Sequence, residues 1–122
     1  MCLRKLTVEE SRLIDRLLEE DFPGRDAILQ QIKSSRVKEW NDHNGSLEFD
    51  VGPSPLALTK SRIPVEGEFE DVDGITIHVL LHVVEGRVKD LEVYKDDSSP
   101  IRKMPGAAQL RLFRPEYPWP KS

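Results

Sequence analysis

The sequence has a single cysteine, Cys2, among 122 residues, which excludes an internal disulfide framework and any site built on paired cysteines. No apolar run approaches the roughly 20 residues that a membrane-spanning helix needs, so we expect no membrane association. The first ten residues turn acidic before an apolar stretch can form, so we expect no secretory signal and a cytoplasmic protein. The 18 basic residues are outnumbered by 22 acidic ones, which argues against a nucleic-acid partner.

Catalytic and cofactor motifs are also missing. The sequence has neither a Gly-x-Ser-x-Gly motif nor a glycine-rich phosphate loop. Two carboxylates could act as an acid and base pair, but no spacing selects such a pair. His78 and His82 lie four residues apart on a predicted strand, about 13 Å from each other, which is too far for one metal ion. We therefore predict no enzymatic activity, no cofactor and no metal.

Charge and proline are unevenly distributed along the chain. Residues 101–122 carry five basic side chains and one acidic one, whereas residues 1–100 are distinctly acidic. Five of the nine prolines lie at or after position 100, and they exclude a central strand there. We predict one domain over residues 1–100 and a basic, proline-rich tail over residues 101–122. The opposite charges favour a tail packed on the domain, and a flexible tail is the alternative.

Helical signals are confined to the first third of the chain. Thr7 and Glu10 have the spacing of a capping box, in which each side chain accepts a hydrogen bond from the other residue's backbone amide. Apolar residues follow at helical spacing on one side, namely Leu13, Ile14, Leu17 and Leu18. Pro23-Gly24 ends this helix, and a second helix begins near Arg25 or Asp26.

Alternation of apolar and polar residues replaces the helical period after residue 35, which predicts strands. Turn signals lie at residues 42–45, 73–74 and 85–86, and three prolines make residues 52–64 a loop. The predicted strands are residues 36–41, 46–51, 65–72, 75–84 and 87–95, with 75–84 in the centre. The predicted fold is α+β, with two N-terminal helices packed on an antiparallel sheet of about five strands and an extended, proline-rich C-terminal tail.

Acidic side chains alternate along two of the predicted strands. Glu66, Glu68 and Glu70 stand in a row about 7 Å apart, and no basic residue interrupts them. Glu48 and Asp50 alternate in the same way on their own strand. If both strands turn their apolar sides to the helices, these carboxylates share the solvent face. An ordinary solvated strand face is one interpretation, and a docking surface for a basic protein or a divalent-cation site are the alternatives.

Several segments together resemble a family of small bacterial domains. They are a capped helix (Leu6-Thr7-x-x-Glu10, then Leu13-Ile14-x-x-Leu17-Leu18), a hairpin (Trp40-Asn41-Asp42, then Gly45-Ser46-Leu47-x-Phe49), the acidic turn at residues 68–74, and residues 91–95 with the Ser99-Pro100 stop. The resemblance covers about residues 5–101. Such domains are similar to immunity proteins of contact-dependent growth inhibition and related polymorphic toxin systems, which are small, acidic, cytosolic and encoded beside a toxin. The resemblance implies a toxin-binding protein and assigns no functional residue.

We therefore expect a non-enzymatic protein whose acidic sheet face enters the active-site cleft of a cognate toxin with a basic surface. A nuclease fits best, because its cleft is basic in order to hold phosphates. The candidate partner-binding residues are Trp40, as an aromatic anchor, and the carboxylates Glu48, Asp50, Glu66, Glu68, Glu70, Asp71 and Asp73. The alternative is a ligand-binding or regulatory domain with a concave apolar pocket, either monomeric or a weak homodimer formed through strand edges. A small enzyme with two carboxylates of separated pKa is a third hypothesis.

Overall fold

Two helices pack on one face of a six-stranded antiparallel sheet in the structure, a computed structural model that describes residues 3–40, 44–104 and 106–114. The helices are α1 (Val8–Leu17) and α2 (Arg25–Lys33). The strands are β1 (Arg36–Glu39), β2 (Leu47–Asp50), β3 (Glu66–Glu70), β4 (Thr76–Val84), β5 (Arg87–Lys95) and β6 (Arg111–Phe113), in the order β1-β2-β5-β4-β3-β6. The predicted α+β class is confirmed, and the described sheet has six strands where about five were predicted.

The first helix begins as its sequence predicts. The Glu10 amide donates to Thr7 Oγ1 at 3.1 Å, and the Thr7 amide donates to Glu10 Oε1 at 2.9 Å, so both halves of the capping box are formed. The apolar stripe of α1 turns to the sheet and is buried at Leu13, Ile14 and Leu17. Neither α1 nor α2 is long and apolar enough to cross a membrane.

The centre of the sheet is the hairpin of β4 and β5, which are the two longest strands. Glu85 and Gly86 join them with φ values of 51° and 80°. Positive φ at both turn positions is typical of the tight hairpin turns that match the strand twist. The apolar positions of β4 that alternate with the two histidines are buried at Ile77, Val79, Leu81 and Val83, so the predicted central strand is confirmed.

Helix α1 packs closely on β3 at a glycine. A Cβ on Gly67 would lie 3.2 Å from side-chain carbons of both Leu17 in α1 and Leu110. A larger residue would therefore require these leucine side chains to shift by a few tenths of an ångström. Because side chains alternate along a strand, the neighbouring Glu66 and Glu68 point to the opposite face.

The described part of the predicted tail belongs to the fold. Leu110 is 2% exposed, and β6 pairs with β3 at the sheet edge. The Arg111 guanidinium donates to both carboxylate oxygens of Glu70 at 3.1 and 2.6 Å. Residues 105 and 115–122 of the tail lie outside the described residues, as do residue 41 of the predicted first strand and residues 42–43 of the predicted first turn.

Candidate functional site

One face of the sheet lies opposite the helices, and we call it the open face. The helices occupy the other side, where the alternate strand positions form the buried core. The strand register assigns polar side chains from β2, β3, β4 and β5 to the open face, together with two residues of β6. The main ones are Glu48, Glu66, Glu68, Glu70, His78, His82, Glu92, Tyr94, Arg111 and Phe113.

The predicted acidic residues of β2 and β3 do share this face, but they do not form one continuous patch. In the strand order, β5 and β4 separate β2 from β3. Three strand spacings place Glu48 and Asp50 about 14 Å from the row of three glutamates on β3. Histidine and tyrosine side chains of β4 and β5 fill the space between them.

Basic side chains from neighbouring strands pair with these carboxylates. Lys89 and Lys38 lie 3.3 and 3.6 Å from the Glu48 carboxylate, and the Lys89 hydrogen bond holds the pKa of Glu48 below its usual value. The Arg111 hydrogen bond lowers the pKa of Glu70 in the same way. No basic residue interrupts the row of glutamates along β3, but the neighbouring strand β6 places the basic side chain of Arg111 beside it. The open face is therefore a network of mixed charge, which corrects the expectation of an unneutralised carboxylate row.

Asp71 and Asp73 correct the expectation in a different way, because they bind an internal lysine. Lys95 Nζ donates to Asp71 Oδ2 at 3.0 Å, to Asp73 Oδ2 at 2.6 Å and to the Pro100 carbonyl at 3.2 Å. The side chains of Lys95 and Asp71 are fully buried, and that of Asp73 is 26% exposed. We call these three residues the Lys95 cluster. Asp71 therefore offers no surface to a partner.

The Lys95 cluster also fastens the chain after β5 to the turn between β3 and β4. The amides of Arg102 and Lys103 donate to the Asp71 carboxylate at 2.7 and 3.1 Å. Burial by itself would raise the pKa of Asp71, but hydrogen bonds from the Arg102 amide and from Lys95 outweigh it and lower this pKa to about 2. The carboxylate is thus held ionised inside the protein by a complete set of donors.

The remaining carboxylates of β3 surround His78. In the strand register His78 lies directly opposite Glu68. Its Nδ1 is 2.9 Å from Glu66 Oε2 and 3.5 Å from Glu68 Oε2, and its Nε2 is 2.7 Å from Asp96 Oδ1. The His78 and Glu66 side chains are only 13% and 11% exposed. We call these four residues the His78 cluster.

His78 is held in place by its ring as well as by its nitrogens. The ring stacks on that of Tyr94, with centroids 4.7 Å apart and planes 12° from parallel. Burial lowers the pKa of His78, but hydrogen bonds with the Glu66 and Asp96 carboxylates outweigh this effect and raise the pKa above its usual value. These carboxylates therefore favour the protonated, cationic form of the imidazole.

The second histidine of β4, His82, has a different environment. Its Nε2 is 2.8 Å from Glu92 Oε1, and its Nδ1 accepts a hydrogen bond from Arg62 Nε at 3.3 Å. One ring nitrogen thus faces an acceptor and the other faces a donor. His82 therefore has a hydrogen-bond partner within the chain at each ring nitrogen.

Trp40 follows β1, at the opposite side of the sheet from β3. It is 36% exposed, and its amide donates to the Ser46 carbonyl at 3.1 Å to close the first hairpin. Four strand spacings, about 19 Å, separate β1 from β3. Trp40 is therefore close to the Glu48 end of the open face and remote from the His78 cluster.

The sequence predicts no role for Lys95, for His78 or for Arg111, which lies beside the His78 cluster. Lys95 is the end of a predicted strand, although it continues the buried stripe of Leu91 and Val93. The spacing of His78 from His82 does not reveal its partners, because they lie on another strand or beyond the strands. Arg111 lies in the predicted tail. The alternation of apolar residues along β5 could have indicated that Lys95 is buried. The roles of His78 and Arg111 become visible only once the order of the strands is known.

The hypothesis of a small-ligand domain predicts a concave apolar pocket. The structure has a small groove of about 30 Å³ between the α1–α2 connection and residues 60–64, with Lys60 and Arg114 among its lining residues. Its apolar lining includes Phe22 and Ile63. Two shallower depressions, of about 190 and 240 Å³, present more polar than apolar surface. All three volumes are below the roughly 300–1,000 Å³ of typical ligand pockets, so they give the hypothesis little support.

Residues 3–105 match the model of a family described as a domain of unknown function, DUF6984. The matched region includes both helices, strands β1 to β5 and every member of the His78 and Lys95 clusters, and it ends before β6. No curated protein and no solved structure matches the chain. The family description assigns no activity, so any function must be argued from the open face itself.

Proposed function

The chain belongs to the DUF6984 family, and we propose that it is a non-enzymatic immunity protein that binds and neutralises a cognate toxin in the cytoplasm. The proposed contact surface is the open face. One observation carries the proposal: a whole face of the sheet is left uncovered by the two helices and presents acidic side chains beside exposed aromatic rings. The resemblance of the sequence to immunity proteins supports the same conclusion.

The open face supplies much of the area that a protein partner requires. Six strands span about 24 Å; two of them have nine residues and are about 30 Å long, and the other four have three to five residues. The strands together cover roughly 540 Å². A standard interface buries about 800 Å² on each partner, so the open face provides about two thirds of one side without any rearrangement of the fold.

The chemistry of this face fits a partner with a basic surface. Glu70 and Asp96 have side chains that are 49% and 55% exposed. Tyr94 and Phe113 are each 37% exposed and flank the His78 cluster, and aromatic residues are enriched at the centres of interfaces. Glu70 is already paired with Arg111, so a basic side chain of the partner would have to replace Arg111 at the Glu70 carboxylate. Such charges contribute more to association rate and specificity than to affinity.

A nuclease is the toxin class that we propose. Nuclease clefts are basic because they hold phosphates, and the carboxylates of the open face offer negative charge that could take the place of phosphates. The expected contacts are those carboxylates of the open face that reach solvent, together with Trp40 at the far side. Glu66 contributes less than the sequence predicted, because it is buried against His78.

The test is co-expression of the tagged protein with the product of the gene directly upstream. We expect a one-to-one complex whose association rate falls as salt is raised. The double variant Asp50→Lys and Glu70→Lys should slow association at least tenfold, because it reverses two exposed charges on the open face. The matched control is Asp15→Lys with Asp26→Lys, which reverses two exposed charges on the helices.

Circular dichroism would verify that both double variants are folded. If the upstream product forms no complex, or if the two double variants bind alike, the proposed role of the open face is wrong. Nuclease inhibition by the wild type, and its loss in the open-face variant, would identify the toxin class.

A further inference from the structure

We propose that Glu66, Glu68 and His78 form a binding site for a divalent transition-metal ion such as Zn²⁺. One ligand atom from each residue lies within 4.8 Å of the other two. The three side chains converge from adjacent strands, β3 and β4, which place Glu68 directly opposite His78. The inference goes beyond the proposed toxin binding and does not depend on it.

Hydrogen-bond accounting at His78 supports a cation between the three side chains. Both ring nitrogens face carboxylates, but a neutral imidazole carries one N–H only. If Nε2–H donates to Asp96 at 2.7 Å, the lone pair of Nδ1 points at the oxygens of Glu66 and Glu68. Three electron-rich atoms then face one another, and a metal ion between them would be bound by all three. A second proton on the ring is the competing occupant.

The spacing and the donor types suit a zinc-like ion. The Nδ1 atom is 2.9 Å from the Glu66 oxygen and 3.5 Å from the Glu68 oxygen. Ligand atoms around a tetrahedral zinc ion are about 3.3 Å apart, given bond lengths of about 2.0–2.2 Å. One imidazole and two carboxylates suit Zn²⁺, Mn²⁺ or Fe²⁺ rather than a soft ion. Three protein ligands leave a coordination position for water.

Surrounding residues would orient these ligands. Asp96 on Nε2 repeats the carboxylate–histidine–metal arrangement that fixes the tautomer of ligating histidines. Arg111 Nη2 lies 3.7 Å from Glu68 Oε1, which is not the oxygen that faces His78. The stacked Tyr94 ring fixes the plane of the imidazole. The site is thus supported on three sides before any ion binds.

His82 provides a matched control on the same strand and the same face. It has one carboxylate partner, Glu92, and its other nitrogen already accepts a hydrogen bond from Arg62. It therefore offers no group of three convergent ligands. If metal binding required only a histidine on an acidic sheet, substitution of His78 and substitution of His82 would weaken it equally.

The experiment is calorimetric titration of ZnCl₂ into chelator-treated full-length protein at pH 7.5. We expect one equivalent to bind to the wild type and to His82→Gln, and His78→Gln to weaken the affinity at least 100-fold. Glu68→Gln should weaken it at least tenfold, which keeps the test valid if His78→Gln does not fold. Visible absorption of a Co²⁺-loaded sample should show the strong bands of a tetrahedral site.

Absence of stoichiometric Zn²⁺ binding by the wild type would overturn the proposal, as would equal losses in His78→Gln and His82→Gln. In that event the His78 cluster is an internal salt bridge with a doubly protonated ring. Because the titration uses the protein alone, its outcome is independent of toxin binding. Failure of the metal site therefore leaves the proposed function standing, and the reverse also holds.

Discussion

The Lys95 and His78 clusters lie on opposite faces of the same pair of central strands. They differ in how completely their charged groups find hydrogen-bond partners within the chain. Lys95 donates to three acceptors, Asp71, Asp73 and the Pro100 carbonyl, and its side chain is fully buried. His78 faces three carboxylates with at most two N–H groups, and its side chain reaches solvent. One cluster is complete within the chain, whereas the other has room for a further cation.

This difference separates structure from function among acidic residues that look alike in the sequence. Asp71 and Glu68 are three residues apart, and both were candidates for binding a partner. The ammonium group of Lys95 keeps its charge at neutral pH and holds the Asp71 carboxylate inside the protein. An imidazole carries its second proton conditionally, so the carboxylates around it remain available to a competing ion.

The largest effect is expected from breaking the Lys95 cluster. Lys95→Met would leave the fully buried Asp71 carboxylate without its cation and Asp73 with Arg102 alone, at 3.4 Å. Loss of one partner of a buried ion pair is strongly destabilising, and we expect Tm to fall by about 10 °C or more. Lys89→Met, an exposed lysine on the same strand, should change Tm by less than about 2 °C. Equal shifts in Tm for Lys95→Met and Lys89→Met would contradict the structural role of Lys95.

An intermediate effect is expected from the pH dependence of the same cluster. The pKa of Asp71 is about 2 in the folded protein, below its usual 3.8, so the ionised carboxylate stabilises the folded state. That stability is fully present above pH 3.8 and is lost as the pH falls toward 2. Asp71→Asn should lower Tm by about 5 °C at pH 6, and the gap should shrink below pH 4. A gap that stays constant down to pH 2 would contradict this assignment.

The smallest effect on stability is expected at the His78 cluster. His78→Gln removes a ring that is 13% exposed, but two of its carboxylate partners, Glu68 and Asp96, are 28% and 55% exposed and can be hydrated in its place. We expect Tm to fall by less than about 4 °C in metal-free buffer, because partly exposed ion pairs contribute little. Thermal scans of this variant beside Lys95→Met test the contrast directly. A loss as large as that of Lys95→Met would make the His78 cluster structural as well.

Local signals in the sequence predicted most of the elements. The capping box of Thr7 and Glu10 determines where α1 begins, and alternation together with the turn at Glu85 and Gly86 determines the central hairpin. These depend on interactions between residues close in the chain. The edge strand β6 was not predicted as a strand, because three residues among prolines carry no periodic signal and pair only when β3 is already in place.

The candidate site could be predicted only in part, because it depends on register between strands. A hairpin centred on Asp73 pairs Glu68 with His78, but a slip of one residue would move every side chain of β3 to the other face. The sequence alone did not determine that centre. The alternation along β5 implies that Lys95 is buried. A buried lysine charge is stable there because Asp71 and Asp73 pair with it, and that pairing depends on the tertiary structure.

The most direct test of the account is a long-range ¹H–¹⁵N spectrum of the histidine rings at pH 7.5, recorded before and after one equivalent of ZnCl₂. The account predicts that the ring signals of His78 shift or are replaced in proportion to added zinc, while those of His82 stay in place. Unchanged His78 signals, or equal changes at both rings, would contradict the claim that the His78 cluster is built to hold a metal ion.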